Sequence, residues 1–137
     1  PFEIGKALVL NEGSDVSLIA TGHLVWEALE AAKQLEKEGI SAEVIDIHTI
    51  KPLDSEAILR SVAKTGCVVG CEEHQYNGGL NESIAQLLVR NNPAPMEFVG
   101  VDDKFGESGT PDELMAKYGL KATNIVAAAK KAIARKK

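Results

Sequence analysis

The sequence is short of the residues that usually announce chemistry. Only two cysteines occur, Cys67 and Cys71, and only three histidines, His23, His48 and His74. If both cysteines lie on one strand, four residues hold them about 13 Å apart on the same face. A disulfide needs Cα atoms roughly 4.4–6.8 Å apart, so a bridge is excluded, and a shared metal ion fails on the same reach. The expectation is a pair of buried, reduced core thiols. No histidine stands four residues from another, and no HExxH or Cys/His cluster is present, which argues against a protein-only metal site. No complete GxGxxG and no GxxxxGK[ST] appears, so neither a dinucleotide nor a P-loop site is supported.

Other absences narrow the class. No apolar run approaches the ~18 residues of a membrane helix. No signal peptide is visible, so a cytoplasmic location is the default expectation. The net charge is −5, and generalised binding of nucleic acid is not expected. Charge is nonetheless uneven. Residues 130–137 carry Lys130, Lys131, Arg135, Lys136 and Lys137 and no acid, which leaves residues 1–129 at −10. Cations at the end of a helix complement its dipole, so this tail reads as the close of a C-terminal helix rather than as a free arm.

What is present reads as one α/β domain. The 137 residues suffice to bury about 70% of their unfolded surface. Short apolar runs at 7–10, 16–21, 42–47, 67–72 and 96–101 predict five strands. Between them, Leu24, Ala28, Ala31, Ala32 and Leu35 form an apolar stripe at helical spacing, closed by Gly39 as a left-handed cap. Asp54 is a predicted N-cap, with Leu53 and Ile58 as a hydrophobic staple, for a helix ending near Lys64. Leu80, Ile84, Leu87 and Leu88 mark a third helix that begins near Gly79. Thr110, Pro111 and Glu113 predict another helix start through a capping box. Ile125, Ala128, Ala129, Ala132 and Ile133 are the inward face of a last helix over about 124–135. Parallel strands need helical crossovers, so the alternation implies a three-layer α/β/α fold around a mostly parallel sheet. The first two strands are joined by a short turn alone, so one of them should run antiparallel to the rest if they share the sheet.

The stretch from Cys67 to Leu88 holds the candidate site. Glu72, Glu73 and His74 follow the fourth strand, and Asn77, Gly78 and Gly79 precede the third helix. Ligands of open α/β sheets gather at such carboxyl ends. Two carboxylates before His74 could raise its proton affinity. Free N–H groups after Gly79 could hold an anion. Glu72 and Glu73 as a general acid–base pair is disfavoured, because adjacent residues leaving a strand point apart. His23, at a helix start, reads as a capping or surface residue, and Asp102 and Asp103 as a solvated loop. No nucleophile–base constellation is evident, so no catalytic residue is assigned.

Several segments taken in order carry a resemblance. They are Asp15 to Gly22 (DVSLIATG), Thr49 to Asp54 (TIKPLD), Glu72-Glu73-His74 with Gly78-Gly79-Leu80, and Val101 to Pro111 (VDDKFGESGTP). From about Lys6 onward the chain resembles the C-terminal domain of transketolases, closest to those built from two separate subunits. It is also similar to the C-terminal domains of 1-deoxy-xylulose-5-phosphate synthase and of 2-oxoacid dehydrogenase β subunits. The resemblance implies a five-stranded mixed sheet with strand one antiparallel. It implies a parent enzyme that moves a two-carbon ketol unit between sugar phosphates, using thiamine diphosphate and Mg²⁺ and working as a homodimer. In that family the cofactor residues belong to domains that precede this one, so no cofactor or metal ligand is carried onto a position here. The expectation is one domain over 1–137, cut from a longer chain as the start Pro1-Phe2-Glu3 suggests, inactive alone. Glu72, Glu73, His74, Asn77, Gly78 and Gly79 would then face a neighbouring domain or subunit. Lys121 departs from the family, where a Thr-like cap before the last helix is expected. A stand-alone module that senses small anions at Gly78 and Gly79 is the contrasting reading.

Overall fold

Largely apolar runs form the centre of the molecule, because a strand covered by helices on both faces has no solvent side on which to place polar residues. In the computed structural model, which describes residues 5–48, 52–72, 79–100 and 121–136, Val16–Ala20 is such a strand, buried at every position. The described elements follow in chain order as β1 (Leu8–Asn11), β2 (Val16–Ala20), α1 (Leu24–Lys37), β3 (Ala42–Asp46), α2 (Ser55–Thr65), β4 (Val68–Cys71), α3 (Leu80–Asn91), β5 (Met96–Val99) and α4 (Ala122–Ala134). The sheet order is β1-β3-β2-β4-β5. The last four in that order run parallel, and β1 is antiparallel to β3. The turn after β1 therefore carries the chain past β3 into β2, rather than closing a hairpin.

Alternation along the strands divides the core in two. Val16, Leu18, Ala20, Val44, Val69 and Cys71 face α1 and α4. Ile19, Ile45, Ile47 and Val68 face α2 and α3. The α1 stripe expected from spacing, Leu24, Ala28, Ala31, Ala32 and Leu35, is wholly buried, and Gly39 takes φ +80° after its last turn. Cys67 and Cys71 lie buried and unbridged on the α1/α4 side. Burial pushes the Cys71 thiol up to about 12. Burial also raises Cys67, against the pull of the Lys136 charge.

Element ends differ slightly from the sequence reading. β4 is bounded by Cys67 and Glu72 rather than including them, and β3 and β5 stop at Asp46 and Val99. α4 begins at Ala122, earlier than its apolar stripe indicates. The capping box at Thr110, the Asp102-Asp103 pair and the segment Thr49 to Lys51 lie outside the described residues.

The crossovers position the site. β2 leaves through α1 toward β3, whereas β4 leaves through α3 toward β5, on the other side and the other face. The chain thus diverges at the carboxyl ends of β2 and β4, which is where such sheets open a crevice. Thr21 N donates to the Cys71 carbonyl at 3.2 Å across that opening.

Candidate functional site

Glu72 follows β4 directly, and its backbone N–H donates to the Val99 carbonyl of β5 at 3.0 Å. Its side chain is buried. One carboxylate oxygen accepts from Leu80 N at 3.0 Å and the other from Asn81 N at 2.8 Å. These are two of the N–H groups that the first turn of α3 would otherwise leave unbonded. A carboxylate there also meets the positive end of the helix dipole. Glu72 is therefore the internal anion of this helix start, and both of its oxygens are engaged.

That geometry changes the meaning of the candidate stretch. The N–H groups after Gly79 that could have held an anion are taken by the protein's own side chain. Gly79 itself is extended (φ −74°), a conformation open to any residue, so backbone freedom does not demand a glycine there. The structure brings together Glu72, Gly79 and the α3 N-terminus. Glu73, His74, Asn77 and Gly78 lie outside the described residues.

Beside Glu72 stands Asn81, buried in the α2/α3 face, with neither its Oδ1 nor its Nδ2 hydrogen-bonded. A Cβ on Gly70 would come within 1.9 Å of Asn81 Oδ1. A glycine in β4 thus makes room for a polar side chain laid against the strand. Asn81 was not singled out in the sequence, although the signal is there. It stands at i, i+3 and i+7 with Ile84 and Leu88, where the stripe calls for an apolar residue.

The remaining histidines sit elsewhere. His23 is exposed at the start of α1 and makes no side-chain cap. His48 lies 3.7 Å from Asp46 at the end of β3, in a groove of about 580 Å³ that Thr21, Trp26 and Leu10 also line. Among the described residues no group of three or more His, Cys, Asp or Glu side chains could hold a metal ion.

The family model described as "Transketolase, C-terminal domain" matches residues 5–125. The chain belongs to the transketolase C-terminal domain family. Its fold agrees closely with a solved structure titled "Split gene transketolase, inactive beta4 tetramer", with a TM-score of 0.94 and 48% identity over 99% of this chain and 45% of that one. It is 50% identical over 98% of its length to the 6-deoxy-6-sulfo-D-fructose transketolase subunit of Clostridium sp. strain MSTE9, 42% of which it covers. It is 38% identical over 97% of its length to a 1-deoxy-D-xylulose-5-phosphate synthase of Geobacter sulfurreducens, 21% of which it covers. The transketolase C-terminal domain described here thus spans less than half the length of these relatives. In it, the mixed sheet and antiparallel first strand implied by the resemblance are both present.

Proposed function

We propose that this domain is the C-terminal part of a transketolase assembled from separate subunits, and that it serves assembly rather than chemistry. In this reading residues 1–137 form one domain of a larger cytoplasmic enzyme that transfers a two-carbon ketol unit between sugar phosphates. Thiamine diphosphate and Mg²⁺ are held by the portions that precede it, which are its partners, and the whole works as a dimer or higher homomer. The observation that carries the reading is the Glu72 carboxylate filling the α3 N-terminus. The one helix start at the candidate site that could have taken a phosphate is used to order the domain itself. The same observation disfavours an anion-sensing module. Identities of 50% and 48% to split transketolases, against 38% to a 1-deoxy-xylulose-5-phosphate synthase, favour the first parent.

Within this proposal the stretch from Glu73 to Gly79 faces a neighbouring domain or subunit, with Glu72 anchoring its two ends. Calorimetric titration of the 137-residue protein with thiamine diphosphate and Mg²⁺ tests the assignment. No binding heat is expected, and micromolar binding would overturn it. In the assembled enzyme, His74→Ala should alter subunit association or modestly lower turnover. If both stay unchanged, the contact reading of that stretch fails.

A further inference from the structure

Beneath α2 the sheet carries oxygens on a face that is otherwise apolar. Ser17 and Glu43 are register partners on the neighbouring strands β2 and β3, and they turn to the same side as Ile19 and Ile45. Ser61 and Thr65 meet them from α2. All four side chains are buried, none more than 3% exposed. Ser17 Oγ stands 2.6 Å from Ser61 Oγ and 2.7 Å from Thr65 Oγ1. Thr65 Oγ1 lies 3.0 Å from the Cys67 carbonyl, and the Ser61 hydroxyl hydrogen-bonds the Glu43 carboxylate. The contacts run in one line, from Glu43 through Ser61, Ser17 and Thr65 to the Cys67 carbonyl.

That line is one proton short. It holds four contacts between oxygens but only three hydroxyls, each with one proton to give. While Glu43 is ionised, one contact has no proton in it. The hydroxyl pairs at 2.6 and 2.7 Å are too close to be left with lone pair against lone pair. The Cys67 carbonyl tolerates the loss, because it also accepts from Ser17 N at 3.0 Å. We propose that the hydroxyls of Thr65, Ser17 and Ser61 form one relay whose protons all point toward the ionised Glu43, and that the three turn round together when Glu43 takes up a proton. In the turned state Glu43 donates to Ser61, Ser61 to Ser17, Ser17 to Thr65 and Thr65 to the Cys67 carbonyl. Four protons then fill four contacts. The added proton comes from solvent, through the groove that Glu43 and Lys64 line together with Arg60 and Glu12. The charged groups around the carboxylate are Lys64 of α2, which binds it directly, Arg60 of α2, which pairs with Glu56, and Glu12 beyond β1. On β2 its neighbour is the neutral Ser17, and at the far end Lys136 of the C-terminal tail binds the Thr65 carbonyl. Lys64 thus supports the charge of Glu43 from outside and the relay supports it from inside, each link polarising the next. Ser17 and Thr65 are positioning residues, which act on Glu43 through Ser61.

Carbon-13 NMR of the Glu43 carboxyl during acid titration of the 137-residue protein tests this. Thr65→Val keeps the shape of the side chain and removes a hydroxyl two contacts away from Ser61. Hydrogen bonds to the ionised form hold a carboxylate's proton affinity down, so in this variant Glu43 should titrate at a higher pH than in the wild type. Thr65→Ser restores the hydroxyl and should titrate as the wild type does. Ser17→Ala cuts the relay one contact nearer the carboxylate and should raise the midpoint further. A double-mutant cycle in urea at neutral pH gives the answer for variants that unfold in acid. The stability lost through Thr65→Val should differ between the wild type and a Glu43→Gln background, because no charge then directs the relay. A Glu43 midpoint that Thr65→Val leaves in place overturns the proposal, as do additive losses in the cycle. Either result would mean that each hydroxyl answers only to its own neighbour.

Discussion

Glu43 and Glu72 are two inward carboxylates that play the same part at opposite ends of the sheet. Each supplies an acceptor to backbone N–H groups that the fold would otherwise leave without one. Glu43, 3% exposed, accepts from Gly13 N at 3.1 Å and from Lys64 Nζ at 2.5 Å. Burial pushes its proton affinity up, but the hydrogen bonds from Lys64, Ser61 and Gly13 and the Lys64 charge outweigh this, and the carboxyl lies below its ordinary 4.5. A lowered value in the folded state means that the unfolded chain binds the proton more readily. The stabilisation is therefore fully present above about 4.5 and is lost as pH falls through the lower folded value. Glu43→Gln should cost about 1–3 kcal/mol at neutral pH. It should also flatten the acid limb, losing less stability than the wild type as pH drops below 4.5, as measured by urea unfolding at a series of pH values. A variant with the same acid limb as the wild type would remove Glu43 from this role. The sequence marks Glu72 as the end of a strand beside a helix start. It does not show that the chain returns eight and nine residues later to place two N–H groups on that carboxylate.

At the scale of elements, local and borrowed caps separate cleanly. Asp54 caps α2 as its position predicts, accepting from Ala57 N at 3.2 Å, and its other oxygen accepts from Ala7 N at 2.8 Å just before β1. Such a cap is written in a few adjacent residues. The cap of α4 is not. Lys121 stands where a Thr-like residue is expected, yet the Ala122 N–H is accepted by Glu27 of α1 at 3.0 Å, and Lys121 N donates to Asn124 Oδ1 at 3.3 Å. A carboxylate from 95 residues away thus supplies an acceptor to the first N–H of the helix. Glu27→Ala should therefore lower stability by about 1 kcal/mol, and Glu27→Gln, which keeps a carbonyl acceptor, by clearly less. Thermal unfolding of the two variants decides. Equal losses would show that the side chain acts through packing alone. The polar cluster under α2 is legible only in part for the same reason. Ser17 and Glu43 interrupt otherwise apolar strands, each two residues before Ile19 or Ile45 and so on the same face. That Ser17 meets Ser61 at 2.6 Å and Thr65 at 2.7 Å depends on how α2 lies across the sheet.

For the whole molecule, the basic C-terminal residues act as ties. Lys130 reaches Glu38 just after α1, Arg135 reaches β5, and Lys136 Nζ donates to the carbonyls of Asp15 at 2.9 Å and Thr65 at 3.0 Å. The last of these joins the end of α2 to the chain entering β2. Lys136→Ala removes a cationic donor from two partly buried acceptors and should cost about 1–2 kcal/mol. Lys130→Ala breaks a more exposed pair and should stay within about 0.5 kcal/mol. Denaturant unfolding of both gives the comparison, and equal effects would contradict the tie. The strand or helix identity of the described elements, the two-sided burial of β2, the α1 stripe and the Asp54 cap were all determined by the sequence alone. Each depends on side-chain period or on residues within one turn of one another. The family also followed from the order of its segments. Only the tertiary structure decided the pairing of β1 with β3, the inward turn of Glu72, the place Gly70 leaves for Asn81 and the cap lent by Glu27. Each joins groups far apart in the chain, whose meeting depends on the crossing of whole elements rather than on any local pattern.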